Sequence, residues 1–153
     1  MKTNQLVLGG EPLRFDQLQE DAVYRTPVVF VSHDDIVRFA TEWDPQYLHL
    51  DNAKALVGPF SGIIASGMHT TALGMRSWIA EGIWGDDVLA GVRMHLRFLR
   101  PVYPNDRLWT ETRIMRLRPH RIPDRGYCDI RIHVFTERSG PVLQMDVTTL
   151  VRR

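Results

Sequence analysis

Asp44 and His49 stand five residues apart in the segment Trp43-Asp44-Pro45-Gln46-Tyr47-Leu48-His49-Leu50-Asp51. A carboxylate and an imidazole that converge can hold one water molecule and exchange protons with it, which is general acid–base chemistry. The same spacing also arises from a helix stop followed by a surface histidine, so the pair alone leaves both readings open. A second segment, Phe60-Ser61-Gly62-Ile63-Ile64-Ala65-Ser66-Gly67-Met68-His69, places small residues at the mouth of an apolar helical stretch. Free backbone N–H groups at a helix N-terminus stabilise developing negative charge, and glycine lets a substrate oxygen come close. Easier helix packing at Gly62 and Gly67 is the plainer alternative.

Other chemistry finds less support. His49-x-Asp51 offers two potential metal ligands, but no third lies nearby in sequence, so no metal is expected. Ser61 and Ser66 lack the strand–turn–helix elbow that exposes a nucleophilic serine. His69 reads either as a pocket residue or as hydrogen-bonded packing. Cys128 belongs to the apolar side of an alternating segment and reads as inert core.

These residues need elements to position them. Val23 to Val31 is rich in β-formers and reads as a first strand, interrupted by Pro27 in a way that suits an edge or a bulge. Ser32-His33-Asp34-Asp35 has capping-box spacing, and Ile36, Phe39, Ala40 and Trp43 follow at helical intervals. Asp44-Pro45 stops that helix, because a residue before proline is pushed out of the α region. A short helix is expected from Asp51 to Leu56, and a long one from about Ala65 to Ala80. Met68, Ala72, Leu73, Met75, Trp78 and Ile79 make the long helix apolar nearly all round, which predicts burial.

The remainder is strand-like. Val92, Met94, Leu96 and Phe98 alternate with more polar residues, as do Cys128, Ile130, Ile132 and Val134, and Leu143, Met145 and Val147. Leu108 to Leu117 alternates more weakly. Such period-2 patterns mean half-buried antiparallel strands. One strand, helices, then four strands predicts an α+β architecture with an antiparallel five-stranded sheet wrapped around the long central helix.

The 153 residues suit a single domain spanning 1–153, with 44% apolar and 24% charged residues. A net charge of +1 gives no overall drive toward nucleic acid or an anionic membrane. Arg93, Arg97, Arg100, Arg107, Arg113, Arg116, Arg118, Arg121, Arg125 and Arg131 nevertheless crowd the second half. They read as solvated strand faces or as a local site for phosphates. A single cysteine permits no intrachain disulfide and fits a reducing cytoplasm. The apolar run Leu6-Val7-Leu8 is too short for a signal segment, and no stretch approaches the roughly 18 apolar residues of a membrane span.

At the level of motifs the chain resembles the MaoC-like, (R)-specific enoyl-CoA hydratases. That family carries Asp-x-Asn-Pro-x-His after a capped helix, and a Ser-Gly about twenty residues later at the start of a central helix. Asp44, His49 and the stretch Ala65-Ser66-Gly67-Met68-His69-Thr70 match that arrangement. Leu99-Arg100-Pro101-Val102-Tyr103-Pro104-Asn105-Asp106 resembles the family's RPV-x-x-G-D turn, with Asn105 for the glycine. Gln46, Tyr47 and Trp43 depart from the family's Asn, Pro and Gly.

The resemblance implies a hot-dog fold and reversible addition of water to an enoyl-CoA, giving an (R)-3-hydroxyacyl-CoA. Asp44 and His49 would be the acid–base dyad, Ser66 would orient it, and the Gly67 N–H would hold the thioester oxygen. Gln46, Tyr47, Ala65, Met68 and His69 would contact substrate. No cofactor is implied beyond the coenzyme A carried by the substrate. A homodimer, or a larger assembly of such dimers, would pair sheet edges. Two other hot-dog roles stay open: an acyl-CoA thioesterase, which would release free thiol, and a non-catalytic acyl-CoA-binding or partner subunit.

Overall fold

The computed structural model describes residues 11–153, so the Leu6-Val7-Leu8 expectation lies outside the described residues. Two short strands, β1 (Val23–Arg25) and β2 (Val29–Phe30), open the chain after a 3-10 turn at Phe15–Gln17. They are the single predicted first strand, split at Thr26-Pro27-Val28. Proline has no N–H to give a ladder, and both pieces pair with one later strand only, at the sheet edge. Helix α1 (His33–Trp43) begins at Ser32, whose hydroxyl accepts the Asp35 N–H at 3.0 Å, as the capping box requires. It ends at Asp44, ahead of Pro45.

Two small helices follow, α2 (Tyr47–Leu50) and α3 (Asn52–Leu56), the latter capped by Asp51. The turn α2 was not expected from the sequence; it makes His49 a helical residue instead of a loop residue. The long helix is α4 (Gly67–Ala80), two residues shorter at its start than expected because Ser66 is its N-cap. A 3-10 turn at Gly85–Asp87 leads into β3 (Val88–Phe98), β4 (Arg107–Pro119), β5 (Arg125–Thr136) and β6 (Gly140–Arg152). All pairs are antiparallel, in the order β1-β4-β5-β6-β3, with β2 beside β1 on β4.

The central strands obey their alternation. Ile130, Ile132 and Val134 of β5 and Leu143 and Met145 of β6 are buried, joined by Leu108 and Ile114 of β4. Helix α4 lies on this surface, but it is not buried all round as expected. Its buried residues are His69, Thr70, Thr71, Gly74, Ser77 and Trp78, while Met68 and Ile79 are 53% and 66% exposed. Close approach explains the difference. A Cβ on Gly74 would meet Val134 Cγ2 at 2.6 Å and Met145 Cε at 2.9 Å, so only small residues fit where helix and sheet touch. Met68 and Ile79 are turned outward, whereas Trp78 packs inward against Tyr24 and Trp84.

β3 departs from expectation in the same sense. It is an edge strand, and Val88, Val92, Met94 and Phe98 are all more than 40% exposed in the single chain. No helix among the described residues is long and apolar enough to cross a membrane.

Candidate active site

Asp44 terminates α1, its N–H bound to the Ala40 carbonyl at 2.9 Å, which leaves its carboxylate projecting past the helix end. Three groups meet that carboxylate. Gln46 Nε2 donates to Oδ1 at 2.6 Å, Ser66 Oγ donates to Oδ2 at 2.7 Å, and His49 Nε2 lies 3.4 Å from Oδ2. The Gln46 amide and then the Ser66 hydroxyl hold the Asp44 carboxyl below the usual carboxylate range, with the His49 charge contributing less.

The His49 ring is buried, and its Nδ1 lies 2.7 Å from the Ile64 carbonyl. A carbonyl only accepts, so Nδ1 carries a proton and donates it there. Nε2 is therefore the nitrogen left to trade protons, and it faces Asp44. Two acceptors cannot satisfy each other. The contact is satisfied when Nε2 is also protonated, or when a water gives one hydrogen to Oδ2 and the other to Nε2.

The segment Ile63–Ser66 that holds these groups is itself clamped. Ile64 N–H donates to Leu48 O at 3.1 Å and Ala65 N–H to Val102 O at 2.8 Å. Behind Val102, Asn105 adopts φ 71°, a left-handed conformation that asparagine tolerates in place of glycine. Asp106 is buried; it accepts the Tyr103 N–H at 2.9 Å and the Arg138 Nε–H at 2.7 Å. The Arg100–Asp106 turn is thus a brace for the site, and it contributes Arg100, Pro101 and Val102 to the cavity wall.

That cavity has a volume of about 490 Å³, and Asp44, Gln46, His49, Ser66 and Gly67 all open onto it. Ala65 and Met68 line it as well, whereas Tyr47 and His69 do not. Tyr47 is 44% exposed on α2, and His69 faces α1, its ring stacked on Phe39 with centroids 4.7 Å apart. The Met68 N–H is taken by Ser66 Oγ at 3.2 Å, which leaves the Gly67 N–H as the helix-end donor beside the cavity. Phe98 was missed in sequence. Its ring packs where a Gly67 side chain would be, 2.6 Å from that position, and forms the opposite wall. Its place on the alternating face of β3 was the only signal available.

The arrangement joins a carboxylate held ionised, an imidazole with one fixed and one free nitrogen, and a backbone donor on the same cavity. It can position water, move a proton in each direction and stabilise an oxyanion. Among the described residues, no three of His, Cys, Asp and Glu converge as a metal would require.

A family model described as the MaoC like domain matches residues 14–125. An uncharacterized protein, YdeM of Bacillus subtilis (strain 168), is 39% identical over 142 residues, covering 92% of this chain and all of its own. The crystal structure of a MaoC-like dehydratase from Rhodospirillum rubrum superposes with a TM-score of 0.87 at 29% identity, over 92% of this chain and 97% of that one. The R-hydratase PhaJ1 from Pseudomonas aeruginosa gives 0.74 at 25% identity, over 92% and 86%.

Proposed function

The chain belongs to the MaoC-like domain family of hot-dog hydratases and dehydratases, and from that premise we propose that it adds water reversibly across the 2,3 double bond of an enoyl-CoA thioester. The observation that carries the reading is the 3.4 Å approach of Asp44 Oδ2 and His49 Nε2 on a cavity shared with the Gly67 N–H.

In this reading the thioester oxygen accepts the Gly67 N–H, and a water sits between Asp44 and His49, giving its hydrogens to both. Its lone pair then points at C3. As the C3–O bond forms, the π electrons move toward the thioester and place negative charge on the oxygen at Gly67. The dyad takes a proton from the water and returns one to C2, collapsing the enolate to the 3-hydroxyacyl thioester. Protons, atoms and charge balance within these groups. The proton taken and the proton given belong to the coupled pair. The (R) configuration of the product follows from the family resemblance.

The working unit is a homodimer in this proposal. Among the described residues β3 leaves one ladder edge unpaired, and an exposed apolar edge strand is a template for another chain. Met68, Ala72 and Ile79 are exposed on the outward face of α4, with Met75 half-buried between them, and an isologous contact would cover both features.

The test is crotonyl-CoA with purified protein, following loss of the enoyl-thioester absorbance, beside Asp44→Asn and His49→Ala. Hydration by wild type and its loss by about 10²–10⁴-fold in folded variants is expected. Release of free thiol would identify a thioesterase instead. Binding without turnover across a panel of enoyl-CoAs would identify a binding subunit.

A further inference from the structure

Helix α4 has a third face. His69, Leu73, Arg76 and Ser77 point about a third of a turn away from the Met68–Ile79 stripe, at 100° per residue. Together with Phe30 of β2 and Asp35 and Arg38 of α1 they line a second cavity, of about 460 Å³. It shares none of its lining residues with the Asp44–His49 cavity.

The charges here are unequal. Asp35 and Arg38 pair with each other, and the other Asp35 oxygen accepts the Ser32 hydroxyl at 2.7 Å, so that carboxylate is committed. Arg76, seven residues and about two turns beyond His69 on the same face, pairs with no carboxylate among the described residues. His69 is only 7% exposed, and its buried Nδ1 has no hydrogen-bond partner among the described residues. The ring cannot easily swing away to find one, because it lies flat on Phe39 with an interplanar angle of 8°. Burial depresses the imidazole's pKa, with Asp35 raising it and Arg38 lowering it to smaller extents, so the ring is neutral near pH 7. One uncompensated guanidinium therefore lines the same cavity as the His69 imidazole and the Ser77 hydroxyl, with Leu73 and Phe30 as apolar wall.

We propose that this cavity binds a carboxylate on a short carbon stem, with the Arg76 guanidinium pairing with the head group, His69 hydrogen-bonding it and Leu73 and Phe30 packing on the stem. A planar guanidinium fork matches two carboxylate oxygens, and the single net charge of the cavity calls for one negative charge. Gly67 and His69 are two residues apart, roughly 3 Å along the helix axis. Around that axis they point about 160° apart, and the two cavities share no lining residue, so a carboxylate here is either the far end of a thioester whose acyl chain passes from one cavity to the other, or a separate small acid. The first source rests on the hydratase reading; the second does not.

The experiment uses saturated probes, which bind without reacting. Affinities of glutaryl-CoA, butyryl-CoA and free butyrate are measured by calorimetry on wild type and Arg76→Leu, with the nitrogen-15 signals of the His69 ring followed during each titration. Arg76 is exposed, and a thermal melt checks that the variant is folded. If the carboxylate is the far end of the substrate, glutaryl-CoA binds about ten-fold more tightly than butyryl-CoA in wild type, shifts the His69 signals, and loses its advantage in Arg76→Leu. If it is a separate acid, the two thioesters bind alike, and butyrate shifts the His69 signals in wild type only. Equal thioester affinities together with a His69 ring indifferent to butyrate overturn the proposal. Failure of both thioesters to bind speaks against the hydratase reading, while the butyrate titration still decides this one.

Discussion

Ser66 donates its hydroxyl hydrogen to Asp44 Oδ2 at 2.7 Å across 22 residues of sequence, while its own Oγ accepts the Met68 N–H that starts α4. One side chain thus caps the central helix and holds the carboxylate at the end of α1. Helix stability and carboxylate position are coupled through a single atom.

Ser66→Ala should therefore fail in two ways. Loss of the cap costs about 0.5–2 kcal/mol of stability, read as a lower urea midpoint. Loss of the hydrogen bond moves the Asp44 pKa up and lowers kcat with crotonyl-CoA, while KM changes less. A variant with full activity and only reduced stability would mean the hydroxyl serves the helix alone.

Asp44 titrates below the usual carboxylate range, with Gln46 the largest cause. A depressed folded-state pKa contributes stability that is present above the unfolded value, about 3.9, and is lost as pH falls through the lower folded value. The carbon-13 carboxyl signal of Asp44 should titrate below 3.9 in wild type, by this reference value, and move upward in Gln46→Leu. That variant should also show less acid-dependent loss of stability. A wild-type midpoint at or above the ordinary value would contradict the hydrogen-bonded geometry.

Gly74→Ala tests the contact between α4 and the sheet. Alanine would favour the helix by about 1 kcal/mol, but its Cβ meets Val134 Cγ2 at 2.6 Å, and valine has little rotamer freedom to yield. Overpacking of this kind costs about 1–3 kcal/mol, so a net lower urea midpoint is expected. An unchanged or higher midpoint would show that the helix can lift from the sheet freely.

Cys128 is fully buried between strands, and burial pushes its thiol up to about 12. The native protein should not react with a disulfide reagent at pH 8, and one thiol should appear in denaturant. Rapid native labelling would place that strand face in the open.

Val92→Lys addresses the edge of β3, where Val92 is 54% exposed. A lysine on an edge strand discourages pairing with another chain. Sedimentation should show a dimer for wild type and a shift toward monomer for the variant. Identical behaviour of the two would remove β3 from the proposed interface.

Several features were legible from residue order because their causes are local. The Ser32 cap, the stop at Asp44-Pro45, the break at Pro27 and the alternation of Ile130, Ile132 and Val134 each depend on neighbours a few residues away. Hydrophobic period also announced an α+β sheet and a long helix. What it could not say was which face of that helix would be covered. Periodicity records where apolar groups lie, whereas coverage depends on how near the sheet comes. At Gly74 the sheet comes so near that small and polar residues face inward and Met68 and Ile79 face outward. The candidate site divides in the same way. The Asp44–His49 spacing was visible in the chain, but the free nitrogen of His49 was decided by the Ile64 carbonyl, and the ionised Asp44 by the neighbouring Gln46 amide together with Ser66 from 22 residues away. Tyr47 and His69, adjacent in sequence to residues that line the cavity, were turned out of it by the helices that carry them. Those outcomes rest on strands and loops distant in the chain being bound together, Ala65 to Val102 among them, and such pairings are set by the whole packed structure.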